Sequence, residues 1–138
     1  MKTIIKKLTP FLFAAAIIFG AQTITANAQM TMAAKVAPTV VLIKAAWCNA
    51  CQKVDPIITE LKGEYGDKLH FVVLDVTDEA AVAASTIKAK SLGISKFFAA
   101  NKKKTSTVAI FKKGKQLFIT DHNYDRAAYT GAFDRSLN

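Results

Sequence analysis

The chain has 138 residues, 51% of them hydrophobic, with a formal net charge of +9 and two cysteines. Once a basic, apolar leader is set aside, about 110 residues remain, enough for one compact core and too few for two domains. The lysines are scattered, densest at Lys102-Lys103-Lys104 and at Lys112, Lys113 and Lys115, and no aromatic interleaving or nucleic-acid motif accompanies them; this reads as a solvated basic face rather than one that attracts acidic partners or membranes, and no nucleic-acid role is assigned.

At the N-terminus, Lys2, Lys6 and Lys7 precede an apolar run from Leu8 to Ala21 and a polar stretch ending in Ala26-Asn27-Ala28. Basic, apolar and A-x-A segments in that order predict a cleavable secretory signal over residues 1–28. The run is shorter than the roughly 20 residues of a bilayer span and contains Pro10, which argues against an uncleaved anchor. No cysteine follows the cleavage region, so a lipid-attached N-terminus is not implied. The expected product is soluble and exported, to a periplasm, a lumen or the exterior. Losing three lysines and no acids takes its charge from +9 to +6.

Residues 29–38 are small and polar, end at Pro38, and form a loose leader to a domain over residues 39–138. Thr39 to Ile43 is a β-branched, apolar run, as expected of a strand buried on both faces. From Cys48 onward, Val54, Ile57, Ile58, Leu61 and Tyr65 form the stripe of an amphipathic helix that starts at the cysteines and is kinked by Pro56. Leu69 to Val76 reads as a second buried strand. Thr77-Asp78-Glu79 then supplies a cap and acidic first turn for a helix running toward Leu92. Gly93 ends it, and Ser95 can cap a short further helix through Phe97 and Phe98 to Asn101. Thr107–Phe111 and Gln116–Thr120 flank Lys112-Lys113-Gly114-Lys115, the pattern of an antiparallel hairpin. Asn123 or Asp125 opens a final helix with Tyr129, Ala132, Phe133 and Leu137 on one face. The order is β-α-β-α-β-β-α, an α/β class.

Cys48 and Cys51, with Trp47 before them, are spaced C-x-x-C after a strand and at a helix start, a redox signature. A helix N-terminus presents unpaired N–H groups and the positive end of the macrodipole, both of which stabilise a thiolate. Cys48 is thus the expected nucleophile and Cys51, one turn deeper on the same face, the resolving thiol. A purely structural disulfide is a poor alternative. Even a 15-residue loop is worth only about 3 kcal/mol when closed, and here two residues intervene. A zinc site would need two further ligands, and His70 and His122 lack ligand spacing and read as surface or edge residues, so no metal ligands are assigned.

These residues carry a resemblance to the thioredoxin family from about Thr39 to Leu137: Trp47-Cys48-Asn49-Ala50-Cys51-Gln52-Lys53, Pro56 five residues after the second cysteine, Glu64-Tyr65, Asp75, and the Phe111-Lys112-Lys113-Gly114-Lys115 hairpin. The resemblance implies a thioredoxin-like fold, a central mixed sheet flanked by helices, with the redox pair exposed at a strand-to-helix junction. It also implies that the loop at Thr105 and Ser106, with Trp47, supports substrate binding. Three positions depart from the pattern. Ser106 stands where the family carries a cis-proline, and since a non-proline cis bond costs about 2.5–4 kcal/mol, a trans bond is expected. Leu42 replaces the family's buried acid. The segment between Asp75 and Ser106 is longer than usual, and its Phe97 and Phe98 either line a substrate groove or pack in the core.

The function expected is an extracytoplasmic thiol-disulfide oxidoreductase, monomeric and without cofactor, acting on protein or small-molecule disulfides and dithiols. The alternative is a thiolate metal-binding module for copper or zinc, for which Met30 and Met32 in the leader are poor third ligands. A thioredoxin fold serving only as an interaction scaffold is a third reading, weakened by the survival of both cysteines.

Overall fold

The computed structural model describes residues 36–138. The secretory signal expected over residues 1–28, and residues 29–35 of the leader, lie outside the described residues. The element order is β1 (Thr39–Lys44), α1 (Asn49–Tyr65), β2 (His70–Asp75), α2 (Glu79–Ser91), α3 (Ser95–Asn101), β3 (Thr107–Lys112), β4 (Lys115–Asp121) and α4 (Arg126–Leu137).

The four strands form one sheet in the order β2-β1-β3-β4. β1 is parallel to β2 and antiparallel to β3, and β3 and β4 form the antiparallel hairpin, so the sheet is mixed. Lys113 and Gly114 both have positive φ, the two-residue turn whose twist matches the flanking strands. β1 and β3 are central and buried on both faces, as their continuous apolar runs require. β2 corrects the reading of a second fully buried strand. It lies at the sheet edge and is buried only in part, with Val72 and Leu74 inside and Val73 exposed. An apolar run alone does not say how many neighbours a strand will have.

Alternation along the strands divides the core in two. Val41, Ile43, Val72, Leu74, Ala109 and Phe111 share one cluster with Ala89, Ile94 and Phe98 of the α2–α3 segment. Val40, Leu42, Val108 and Ile110 share the other with Val54, Ile58 and Leu61 of α1 and Tyr129, Ala132 and Phe133 of α4. Pro56 sits inside α1 without ending it. Phe98 is buried, and Phe97 packs edge-on against Phe111 with ring centroids 5.0 Å apart, so both phenylalanines of the long segment pack against the core.

The helix ends are set by local chemistry. The Asp78 carboxylate accepts from the Ala81 N–H at 2.7 Å and caps α2. The Asp125 carboxylate accepts from the Ala127 N–H at 2.9 Å and caps α4, while Asn123 accepts from the Asp125 N–H just before it. Ser95 is not the cap expected for α3. Ile94 holds that position, because it is committed to closing α2. Its N–H donates to the Ala89 carbonyl, the Gly93 N–H donates to the Lys90 carbonyl, and Gly93 takes a φ of 70°. This is the Schellman arrangement, in which the residue after glycine buries its side chain.

Candidate active site

β1 delivers the chain to the site and α1 carries it away. After Lys44, the Cys48 N–H donates to the Ala45 carbonyl at 3.1 Å, closing a turn, and Cys48 takes an extended conformation as the N-cap of α1. An N-cap residue usually offers a side-chain oxygen to an orphan N–H of the first turn. Here the acceptor is sulfur: the Cys51 N–H donates to Cys48 Sγ at 3.1 Å. Cys48 and Cys51 are joined as a disulfide with their Cα atoms 5.2 Å apart. Both are buried, at 5% and 3% exposure, in the cluster that holds Ile43, Ala45 and Phe98, which corrects the exposed pair implied by the resemblance: the turn from Ala45 to Cys48 folds the sulfurs back onto the sheet. Beside them Trp47 is 63% exposed, an unusual position for a large aromatic ring.

Trp47 is tethered nonetheless. Its indole N–H donates to the Thr77 carbonyl at 3.1 Å, and the Ala46 N–H donates to Thr77 Oγ1 at 2.9 Å. Thr77 is itself held by Asp75, whose carboxylate accepts from the Thr77 hydroxyl at 2.5 Å and the Thr77 N–H at 2.8 Å. These two hydrogen bonds, the hydroxyl first, hold the Asp75 carboxyl below the usual carboxylate range, against the opposing effect of its desolvation. Sequence reading took Asp75 as a strand end and Thr77 as part of a helix start, and so missed this buttress of the loop before Cys48. Its signal, an Asp two residues ahead of a Thr, is too common to be read alone.

On the far side of β1, Lys44 Nζ donates to the Asp55 carboxylate at 2.7 Å. Asp55 lies one turn past Cys51 in α1 and was likewise not singled out from sequence. Leu42, at the position of the family's buried acid, is core.

The loop entering β3 completes this end of the sheet. Thr107 pairs with Ile43, and the Ser106 N–H donates to the Ile43 carbonyl at 2.8 Å, so Thr105 and Ser106 stand at the same end of β1 as the redox pair. No peptide bond among the described residues is cis, in keeping with the trans bond expected before Ser106. Ser106 is fully buried, and its φ is 65°. Thr105 is half-buried. His70 and His122 are both exposed, the first at the edge of the sheet and the second in a loop. Among the described residues no group of three or more His, Cys, Asp or Glu side chains comes together as a metal ion would require.

A capped, disulfide-bonded C-x-x-C at the mouth of a mixed sheet has a counterpart among known families: the family model for thioredoxin matches residues 21–123. The chain belongs to the thioredoxin family. It is 34% identical over 101 residues to the chloroplastic thioredoxin M-type of Chlamydomonas reinhardtii, covering 73% of this chain and 62% of that protein. It is 30% identical over 76 residues to the chloroplastic thioredoxin M-type of Brassica napus, covering 55% and 42% of the two. The chain thus spans less than two thirds of the length of these relatives. The fold matches oxidised thioredoxin O2 from Arabidopsis thaliana at a TM-score of 0.53 and 22% identity, covering 75% of this chain and 77% of that one. It matches Fasciola hepatica thioredoxin at 0.52 and 18% identity, covering 74% and 83%. These thioredoxin structures share the four-stranded mixed sheet with flanking helices, the fold class read from the sequence.

Proposed function

We propose that this thioredoxin-family protein is a thiol-disulfide oxidoreductase that works outside the cytoplasm on protein or small-molecule disulfides. The observation that carries the reading is the sulfur N-cap. In the reduced protein the backbone N–H that lies 3.1 Å from Cys48 Sγ, together with the positive end of α1, favours an anion on that sulfur.

The chemistry then follows from position. Cys48 thiolate attacks one sulfur of a substrate disulfide, forming a mixed disulfide and expelling the other substrate sulfur as a thiolate that takes a proton. Cys51, already within bonding distance, gives up its proton and attacks Cys48 Sγ. The second substrate thiol leaves, and the Cys48–Cys51 disulfide of this structure is the product. The substrate gains two electrons and the protein loses them. Run backward, the same steps donate a disulfide, and the protein's potential relative to its compartment selects the direction.

Cys51→Ser is expected to accumulate mixed disulfides on Cys48 that thiol reductants release. A Cys51→Ser protein that traps no partner, from a parent that exchanges with no disulfide substrate, would sink the reading. Export is supported by the Lys2-to-Ala28 pattern and by the lack of acids in it. It predicts a mature N-terminus at Gln29, readable by N-terminal sequencing of protein recovered from outside the cytoplasm; full-length protein retained inside would refute it. Among the described residues, no group of His, Cys, Asp or Glu side chains around the cysteines supports the metal-binding alternative.

A further inference from the structure

Among the described residues one buried side-chain polar atom lacks a hydrogen-bond partner, and it belongs to Ser106. Two features show that the residue is held there. Its backbone is in the left-handed region at φ 65°, which disfavours residues carrying a β-carbon. Its N–H is tied to the Ile43 carbonyl at 2.8 Å, while the neighbouring Thr107 hydroxyl is satisfied by the Lys104 carbonyl at 2.7 Å. An orphaned buried hydroxyl is costly, on the order of 1–3 kcal/mol. Ser106 hangs from Ile43, and Cys48 hangs from Ala45 two residues on; Ile43, Ala45, Cys48 and Cys51 all share one buried cluster. In the disulfide both sulfurs are uncharged, and Cys48 Sγ already accepts from the Cys51 N–H. When the disulfide opens, one becomes an anion in a place where water has little access.

We infer that the Ser106 hydroxyl is a hydrogen-bond donor held in reserve for the opened sulfur pair, unsatisfied in the disulfide form and satisfied in the dithiol form. This rests on the redox reading proposed above and adds to it a residue that tunes the couple. Reduction by glutathione balances as one Cys48–Cys51 bond broken, two glutathione thiols oxidised to glutathione disulfide, one proton kept on Cys51 and one released as Cys48 ionises. The Ser106 hydroxyl keeps its own proton and donates it in a hydrogen bond. It thereby favours the reduced side and makes the protein a stronger oxidant.

The test is the equilibrium with glutathione for the parent, Ser106→Ala and Ser106→Gly, with chemical unfolding of each in both redox forms. The left-handed backbone affects oxidised and reduced forms alike and cancels in the potential, so both variants report on the hydroxyl and either serves if the other folds poorly. Expected is a shift of about tenfold in the equilibrium constant toward the disulfide, a potential about 30 mV more negative. The reduced form should lose stability relative to the oxidised form. A hydroxyl satisfied by buried water in both forms would leave the potential unmoved and shift both stabilities together, and that result overturns the inference. If the parent itself shows no reversible couple, the oxidoreductase reading fails and takes this one with it; a normal couple with no shift removes Ser106 alone.

Discussion

The two faces of the sheet are built from different materials. One carries α1 and α4, and its interior is large: Leu61, Ile110, Tyr129 and Phe133, with Phe133 meeting Tyr65 and Phe71 edge-on at 5.3 and 5.7 Å. The other carries α2 and α3 and mixes Ala45, Ala89, Ala109 and the disulfide itself with Leu74, Phe98 and Phe111. Helix α1 belongs to both, since its cysteine end enters the α2–α3 face while Val54, Ile58 and Leu61 fill the other. Polar contacts reinforce the division. Arg126 pairs with Glu64, and Tyr65 donates to Asp134, so the C-terminal end of α1 is tied to α4. On the cysteine side, the Asp75–Thr77 network serves a loop. The contrast teaches that the end that must change its bonding is held by a few directed hydrogen bonds in addition to its packing.

Four measurements break or sharpen that division. The largest effect is expected from Phe133→Ala, which empties the centre of the bulky face: a loss of about 3–5 kcal/mol in chemical unfolding, with the reduction potential of the surviving folded protein unchanged. A matching change in potential would show that the faces are coupled. Thr77→Val comes next, removing the hydroxyl that bridges Asp75 and Ala46, and should cost about 1–2 kcal/mol. Unlike Phe133→Ala it should slow disulfide exchange, because the Trp47–Cys48 loop loses its support; unaltered rates would confine Thr77 to stability.

Asp75→Asn tests the same network through pH. The Asp75 carboxyl is held low, chiefly by the Thr77 hydroxyl and then by its N–H, so its contribution is present above the ordinary carboxylate value of 3.8 and disappears as pH falls through the lower folded-state value. The variant should be less stable by about 1 kcal/mol at neutral pH, screening included, and equal to the parent in strong acid. A constant offset at every pH would contradict this. The smallest effect belongs to the bulky face. Burial pushes the Tyr129 hydroxyl up to about 12 from 10.0, and it donates to the Asn123 carbonyl at 2.7 Å. Its neutral form therefore stabilises the fold fully below pH 10, and this contribution is lost as pH rises through about 12. Tyr129→Phe should cost about 1 kcal/mol or less at pH 7 and flatten the alkaline limb of a stability profile. An unchanged limb would place the alkaline sensitivity elsewhere.

Much of the site was legible before the fold was known, because its chemistry is local. The spacing of Cys48 and Cys51 needs only a helix start to become a capped redox pair, and the run Thr39–Ile43 followed by the Val54–Leu61 stripe supplies one. The hairpin, the Asp78 cap and the Phe133 face of the last helix are likewise short-range patterns of propensity and period. What tertiary structure decided is which neighbours each segment would meet. β2 became an edge strand because the sheet places β1 on one side of it, a fact absent from its own apolar run. Ile94 displaced Ser95 as the cap of α3 because closing α2 required a buried residue after Gly93. Thr77 became the support of Trp47, and Asp55 the partner of Lys44, across separations of 30 and 11 residues. Ser106 was marked in the sequence by what it replaces, yet its orphaned hydroxyl exists only because the loop entering β3 is buried. Hydrogen-bond satisfaction is a property of the packed chain, and residue type alone does not determine it.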